Sequence, residues 1–254
     1  MKKIIACMLA LVMGCVCLTG CQSKDEFVLG FDEGFPPMGY IDTSDNTHKG
    51  FDLDVAKEVC KRWNVTLKLQ PIDWNSKEIE LKTGTIDCIW NGFTVNAERE
   101  KVMSFSDPYL KNRQVLVVKG DSAYKTQDDL KGKTVALQNG SSAADALDAN
   151  ADFKKSIKGT LMTEDNVDAL LNLDVGQADA VLLDEVVARY YINKLNKNYR
   201  VLDKSFADEE YAVGFRKDDT ELVKKFNQTM NEMKEDGTLS KISEEWFGED
   251  IVIK

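Results

Sequence analysis

Apolar positions in this chain alternate over short runs and recur at helical spacing over longer ones. Residues 27–31 alternate and predict a strand, followed by a Gly/Pro turn at Gly34, Pro36 and Pro37. After Gly50, the positions Phe51, Leu53, Val55, Ala56, Val59 and Cys60 share one helical face. Residues 65–69 predict a strand, 76–82 a helix stopped by Gly84, and 86–90 another strand, in which Trp90 points into the core, away from Asn91. A second series follows Arg113, with strands at 115–118, 134–137, 180–183 and 211–215. Its helices lie at 141–147, 166–174 and 185–194, and residues 221–246 are mostly helical. Such alternation predicts an α/β fold with parallel sheets covered by helices. With no repeat, low-complexity tract or long linker, two lobes are expected, the second inserted into the first. The first comprises 27–111 and 215–254, the second 112–214, with crossings near 110–114 and 212–216.

The N-terminus has a different logic. Lys2 and Lys3 precede an almost unbroken apolar run over residues 4–18, which ends at Thr19-Gly20. That order predicts a secretory signal peptide over residues 1–20; a spanning helix needs about 20 apolar residues. An uncleaved membrane anchor is the alternative, weakened by the short run and by the polar stretch Gln22-Ser23-Lys24-Asp25-Glu26. Leu18-Thr19-Gly20-Cys21 resembles a bacterial lipoprotein cleavage box. The resemblance implies that Cys21 becomes the first residue, carries acyl chains and is tethered through 21–26 to the outer face of the cell membrane.

Processing would move the formal net charge from −10 to −12. A surface of that sign repels phosphate backbones, which argues against nucleic acid, and it also serves solubility. Of six cysteines, only Cys60 and Cys88 would remain unmodified in the mature chain. An exported protein can pair them, and two buried thiols fit their apolar settings as well. His48 is the single histidine, and no cluster has metal-ligand spacing, so neither metal nor cofactor is expected.

Three motifs carry a resemblance over roughly the whole mature chain. They are Phe51-Asp52-Leu53-Asp54-Val55-Ala56-Lys57, Gly92-Phe93-Thr94-Val95-Asn96-Ala97-Glu98-Arg99, and Phe105-Ser106-Asp107-Pro108-Tyr109. Together they resemble the extracellular solute-binding proteins, family 3, the polar amino-acid receptors of bacterial ABC importers. The resemblance implies a type II periplasmic-binding-protein fold, two lobes around a ligand cleft. It also implies a monomer that delivers a free amino acid to a permease.

A zwitterion needs a fixed cation for its carboxylate and acceptors for its ammonium. Arg99 matches the family's carboxylate-binding arginine, whose planar fork can make two parallel bonds; by itself it would read as a solvated helix-start charge. Thr94 matches a position that offers N–H and hydroxyl, and Gly92 one that offers its carbonyl. Ser142 matches a contact on the second lobe, beside Ser141, which reads as a helix cap. Asp184, at a strand's C-terminal end, matches the ammonium partner; its bland reading is also a cap. Phe35 and Trp74 match the aromatic walls. Asp32, with Asn91 and Gln138, falls at the far end of the pocket, where a carboxylate favours a cationic side chain; glutamine or cystine stays open. Two other classes remain. A dehydratase on this fold would need a general acid or base, for which Asp32 and Glu33 are the spare carboxylates with no histidine beside them in sequence. A sensing module would need a separate receptor.

Overall fold

The computed structural model describes residues 26–254, so the signal peptide and the Cys21 anchor lie outside the described residues. The chain begins with β1 (Glu26–Phe31), then a small meander of β2 (Gly34–Phe35), β3 (Gly39–Asp42) and β4 (Thr47–Lys49). Next come α1 (Phe51–Trp63), β5 (Thr66–Pro71), α2 (Lys77–Thr83), β6 (Cys88–Ile89), α3 (Ala97–Val102) and β7 (Met103–Phe105). The middle of the chain is β8 (Leu110–Lys119), β9 (Thr134–Gln138), α4 (Ser142–Ala149), α5 (Ala151–Ser156), β10 (Gly159–Thr163) and α6 (Asn166–Asp174). It continues through β11 (Ala180–Asp184), α7 (Glu185–Arg189), β12 (Tyr199–Val201) and β13 (Ala207–Tyr211). β14 (Gly214–Arg216), α8 (Thr220–Glu235) and α9 (Thr238–Phe247) close it.

Two sheets organise these elements. The first has the order β5-β1-β6-β14-β7, and the second β10-β9-β11-β8-β12, with β13 also paired to β8. β1 lies between two neighbours and is buried along nearly its whole length, as a central strand of a helix-covered sheet should be. Neither sheet is purely parallel, contrary to the expectation. β14 runs antiparallel to β6 and β7, and β8 antiparallel to β11. The reason is the connection: the chain enters and leaves the second sheet through strands that pass between the two lobes rather than through crossover helices.

Local differences have similar causes. The strand expected over 211–215 is two strands, because Ala212 and Val213 separate β13 from β14. The helix expected over 185–194 is α7 followed by a wider π-turn, Tyr190–Lys194. The β2–β4 meander, α5, β10 and β12 are short or polar and carry too little periodicity to be anticipated.

One apolar cluster runs through both sheets, and a separate cluster packs the opposite face of each. Phe226 of α8 packs edge-on against Trp90, Phe215 and Trp63, with ring centroids 5.0, 5.4 and 6.4 Å apart. α8 and α9 therefore return the chain's end onto the first sheet. Trp90 is fully buried in this core, as expected. Cys60 and Cys88 are buried free thiols, and burial pushes Cys60 up to about 12. Among the described residues no helix is long and apolar enough to cross a membrane.

Candidate functional site

The two sheets present the C-terminal ends of their parallel strands to each other, the place where α/β proteins hold ligands. All ten positions named from sequence (Asp32, Phe35, Trp74, Asn91, Gly92, Thr94, Arg99, Gln138, Ser142 and Asp184) line one cleft there, with Ser141 beside them. The cavity between their atoms is only about 10 Å³, so the walls of the cleft stand almost in contact.

Arg99 sits on α3, whose N-cap Asn96 accepts a hydrogen bond from the Arg99 N–H. Its side chain is 6% exposed, donates from Nη1 to the Thr94 carbonyl at 2.8 Å, and lies 4.4 Å from the Phe93 ring centroid. Among the described residues it forms no salt bridge. Burial holds its pKa below the usual arginine value, against the pull of Asp145, Glu209, Glu78 and Asp184. A buried cation with no protein anion in contact is costly unless an anion completes it.

Gly92 has φ +55°, and a Cβ there would stand 2.7 Å from the Phe35 ring. Its N–H donates to Asp52 at 2.6 Å, so its carbonyl is its remaining polar group. Asp52 was not anticipated as a site residue. In the first turn of α1 it reads as a charge favoured by the helix dipole, yet it is fully buried and also accepts from the Tyr109 hydroxyl at 2.8 Å. Burial raises its pKa to about 7.

From the second sheet, Ser141 caps α4 by accepting from the Ala144 N–H. Ser142 then faces Thr94, hydroxyl to hydroxyl, at 3.1 Å. Asp184 precedes α7 but makes no side-chain cap bond there. Its Oδ1 instead accepts from Tyr211 at 2.5 Å and Asn112 at 2.8 Å. Burial, and then the nearby Glu209, push its pKa well above the carboxylate range.

The far end is a buried network. Gln138 Nε2 donates to Asp32 Oδ2 at 2.6 Å, Gln138 Oε1 accepts from Asn166, and Asn91 Oδ1 accepts the Asp32 N–H. Burial raises Asp32 to about 6. Glu33 is not a spare carboxylate: His48, distant in sequence, reaches it with Nε2 at 2.5 Å. The β3–β4 turn makes that meeting, which sequence spacing does not reveal. Trp74 and Phe35 border the cleft, and Trp74 stands edge-on to Phe93 at 5.7 Å.

Several bonds cross between the sheets besides Thr94–Ser142 and Asp32–Gln138. Lys77 Nζ donates to the Gly140 carbonyl at 3.1 Å, Asn139 to Asn75 at 2.6 Å, and Asn96 to Asp145 at 3.1 Å. Lys77 is 5% exposed, and burial lowers its pKa to about 8. An interlobe lysine within a charged stretch carries no sequence signal of this role.

A family model described as bacterial extracellular solute-binding proteins, family 3, matches residues 27–249. The L-cystine-binding protein TcyJ of Escherichia coli (strain K12) is 31% identical over 234 residues, covering 91% of this chain and 85% of its own. A solved ABC uptake transporter substrate binding protein from Streptococcus pneumoniae with bound histidine is 40% identical. It superposes with a TM-score of 0.87 over 91% of this chain and 95% of that one. The ancestral amino acid-binding protein AncCDT-1, a precursor of cyclohexadienyl dehydratase, is 33% identical with a TM-score of 0.80, over 88% and 96% of the two chains.

Proposed function

The chain belongs to the bacterial extracellular solute-binding proteins, family 3, a substrate-binding protein of amino-acid import, and from that premise we propose how it holds its cargo. The cargo is a free polar α-amino acid. Its carboxylate lies on Arg99, the Thr94 N–H and hydroxyl, and Ser142; its ammonium lies on Asp184 and the Gly92 carbonyl. Phe35 and Trp74 flank the side chain, whose polar end meets Asp32, Gln138 and Asn91. The observation that carries this reading is Arg99, a buried guanidinium in no salt bridge among the described residues, aimed into a cleft that also holds a buried carboxylate. One zwitterion satisfies both charges at once.

Arg99 and Thr94 belong to the first lobe, Ser142 and Asp184 to the second. The full clamp exists only when the lobes meet, so ligand binding favours closure, and the closed form docks on the permease. The lobes divide near 110–114 and 212–216, the β8–β13 ladder extending the second crossing back to Ala207. Cys21 carries the lipid that keeps this monomer beside its transporter at high effective concentration. Binding without turnover is the reading here. The cleft's carboxylates are engaged by donors, and L-cystine and histidine, named for two relatives, are ligands whose polar side chains suit the Asp32 end.

The test is a thermal-shift screen of the twenty amino acids, L-cystine and L-ornithine, on protein that begins after Cys21. At a hundred times Kd a ligand adds about 2.7 kcal/mol to stability, a rise of roughly 5–10 °C. Arg99→Ala should remove the response, and Arg99→Lys should weaken binding about tenfold or more. A clean spectrum of no shifts would end the amino-acid reading, and recovery of an altered ligand would turn it towards catalysis.

A further inference from the structure

Two carboxylates meet where β8 and β13 pair, and the clamp above uses only one of them. Asn112 on β8 lies opposite Glu209 on β13, while Asp184 on β11 lies opposite Gln114 across the other edge of β8. Asn112 and Gln114 are two apart on one strand and so share a face. The Asn112 Nδ2 donates both to Asp184 Oδ1 at 2.8 Å and to Glu209 Oε1 at 2.5 Å. Gln114 Nε2 donates to the same Glu209 oxygen at 2.8 Å and to Ser142 Oγ at 3.1 Å. One amide nitrogen therefore bridges two acids, and the second acid is wired to a residue of the clamp.

The surroundings supply little positive charge. α3 contributes Arg99, which feels both carboxylates. β13 contributes Tyr211, which donates to Asp184, and Tyr109 stands near Tyr211. α4 brings the uncharged Ser142. On β8, the neighbouring Arg113 is taken by Glu185. Glu209 itself is half-buried and borders a separate crevice on the outer side of the ladder, with Lys111, Arg113, Glu185, Asp208 and Glu210.

We propose that Glu209 is a positioning residue for the ammonium site: with Asp184 it forms a carboxylate pair that holds one proton until a ligand ammonium takes that proton's place. The inference rests on Asp184 being the ammonium acceptor. Two carboxyls bridged by one donor, one of them buried, do not both ionise readily, so the pair keeps a proton. Burial and the charge of Glu209 hold the Asp184 carboxyl well above its usual range, in keeping with this. An arriving –NH₃⁺ supplies both positive charge and donors. The O–H bond of the pair then breaks, the proton leaves to water through the outer crevice, and the ammonium keeps its own protons.

Proton linkage has a sign. Ligand binds the deprotonated pair, so affinity should rise as pH rises, by up to about tenfold per unit, and level off once the pair is ionised. Removing the Glu209 charge lets Asp184 ionise at lower pH, which moves the whole curve to lower pH.

The experiment is titration calorimetry on the mature chain from pH 5.5 to 8.5, in phosphate and in Tris. The probe is the amino acid with the largest shift in the screen above, L-histidine and L-cystine being tried first. The free ligand's own ionisation, which for an imidazole falls inside this window, is subtracted from the proton count. Wild-type protein should release up to one proton per ligand at the acid end. Glu209→Gln should release markedly less there and shift the affinity curve down by about one pH unit or more, whereas Glu209→Asp should keep the release. A purely structural role would weaken binding equally at every pH. Coincident curves and equal proton release in wild type and Glu209→Gln would overturn the proposal while leaving the amino-acid reading intact. If Glu209→Gln fails to fold, a wild type that binds with no proton release overturns it equally. A wild type that binds no probe overturns both.

Discussion

Asp52 and Arg99 show how two charged side chains can be buried for opposite reasons. Asp52 has its partners inside the protein: the Gly92 N–H on one oxygen and the Tyr109 hydroxyl on the other. It therefore places the backbone of the cleft floor, although it does not line the cleft. An amide at this position can accept through only one of its two ends, so Asp52→Asn strands one buried donor. That should cost about 1–3 kcal/mol of stability, read from urea unfolding, and should weaken ligand binding through Gly92. Unchanged stability would mean that the Gly92 turn holds itself. Arg99 has the converse arrangement, one carbonyl partner and an aromatic face, and in the proposed clamp its remaining donors serve the ligand carboxylate. At this scale the motif residues were legible through the family resemblance that the three motifs carry; a forked cation suits a carboxylate, but Arg99 alone reads as a solvated charge. Lys77, Asn112 and Glu209 were not legible, since their partners lie 63, 72 and 97 positions away in sequence.

At the scale of elements, the glycine before α1 has a specific task. Gly50 has φ +152°, and a Cβ there would fall 2.1 Å from the Met38 carbonyl oxygen. The same tight approach lets the Phe51 and Asp52 N–H groups bond the Pro37 and Met38 carbonyls at 2.8 and 3.0 Å. α1 starts without a side-chain cap, so this backbone packing stands in for one. Gly50→Ala should therefore cost on the order of 3 kcal/mol, and thermal unfolding should show it; a near-neutral effect would place the entry to α1 elsewhere. Elements with strong periodicity, α1, α6 and β1, lie within one or two residues of where apolar spacing puts them. The strands that pass between the lobes were harder. β13 reads Ala-Asp-Glu-Glu-Tyr, nearly all polar, because it pairs with β8 alone at an edge of the sheet and not inside a core.

For the whole molecule, the buried acids give stability a pH dependence. Asp32 is raised to about 6 and Asp52 to about 7, both chiefly by burial. In the unfolded chain such groups ionise near 4. Between pH 4 and 7 the unfolded state thus sheds protons that the folded state keeps, and stability falls as pH rises. Exposed carboxylates held low by partners, Asp236 at about 2 among them, withdraw their support only below that window. The unliganded protein should melt highest near pH 5 and lower at pH 7.5; a melting temperature climbing steadily from 5 to 8 would contradict the burial of these acids. The sequence by itself determined the α/β class, because periodicity is a local property, and its three motifs carried the family resemblance that marked the clamp residues. Only the tertiary structure decided that Asp32 is tied to Gln138, that Glu33 is occupied by His48, and that Glu209 stands beside Asp184. Those meetings are made when separate strands bring distant side chains together, and the protonation of a buried acid depends on that company.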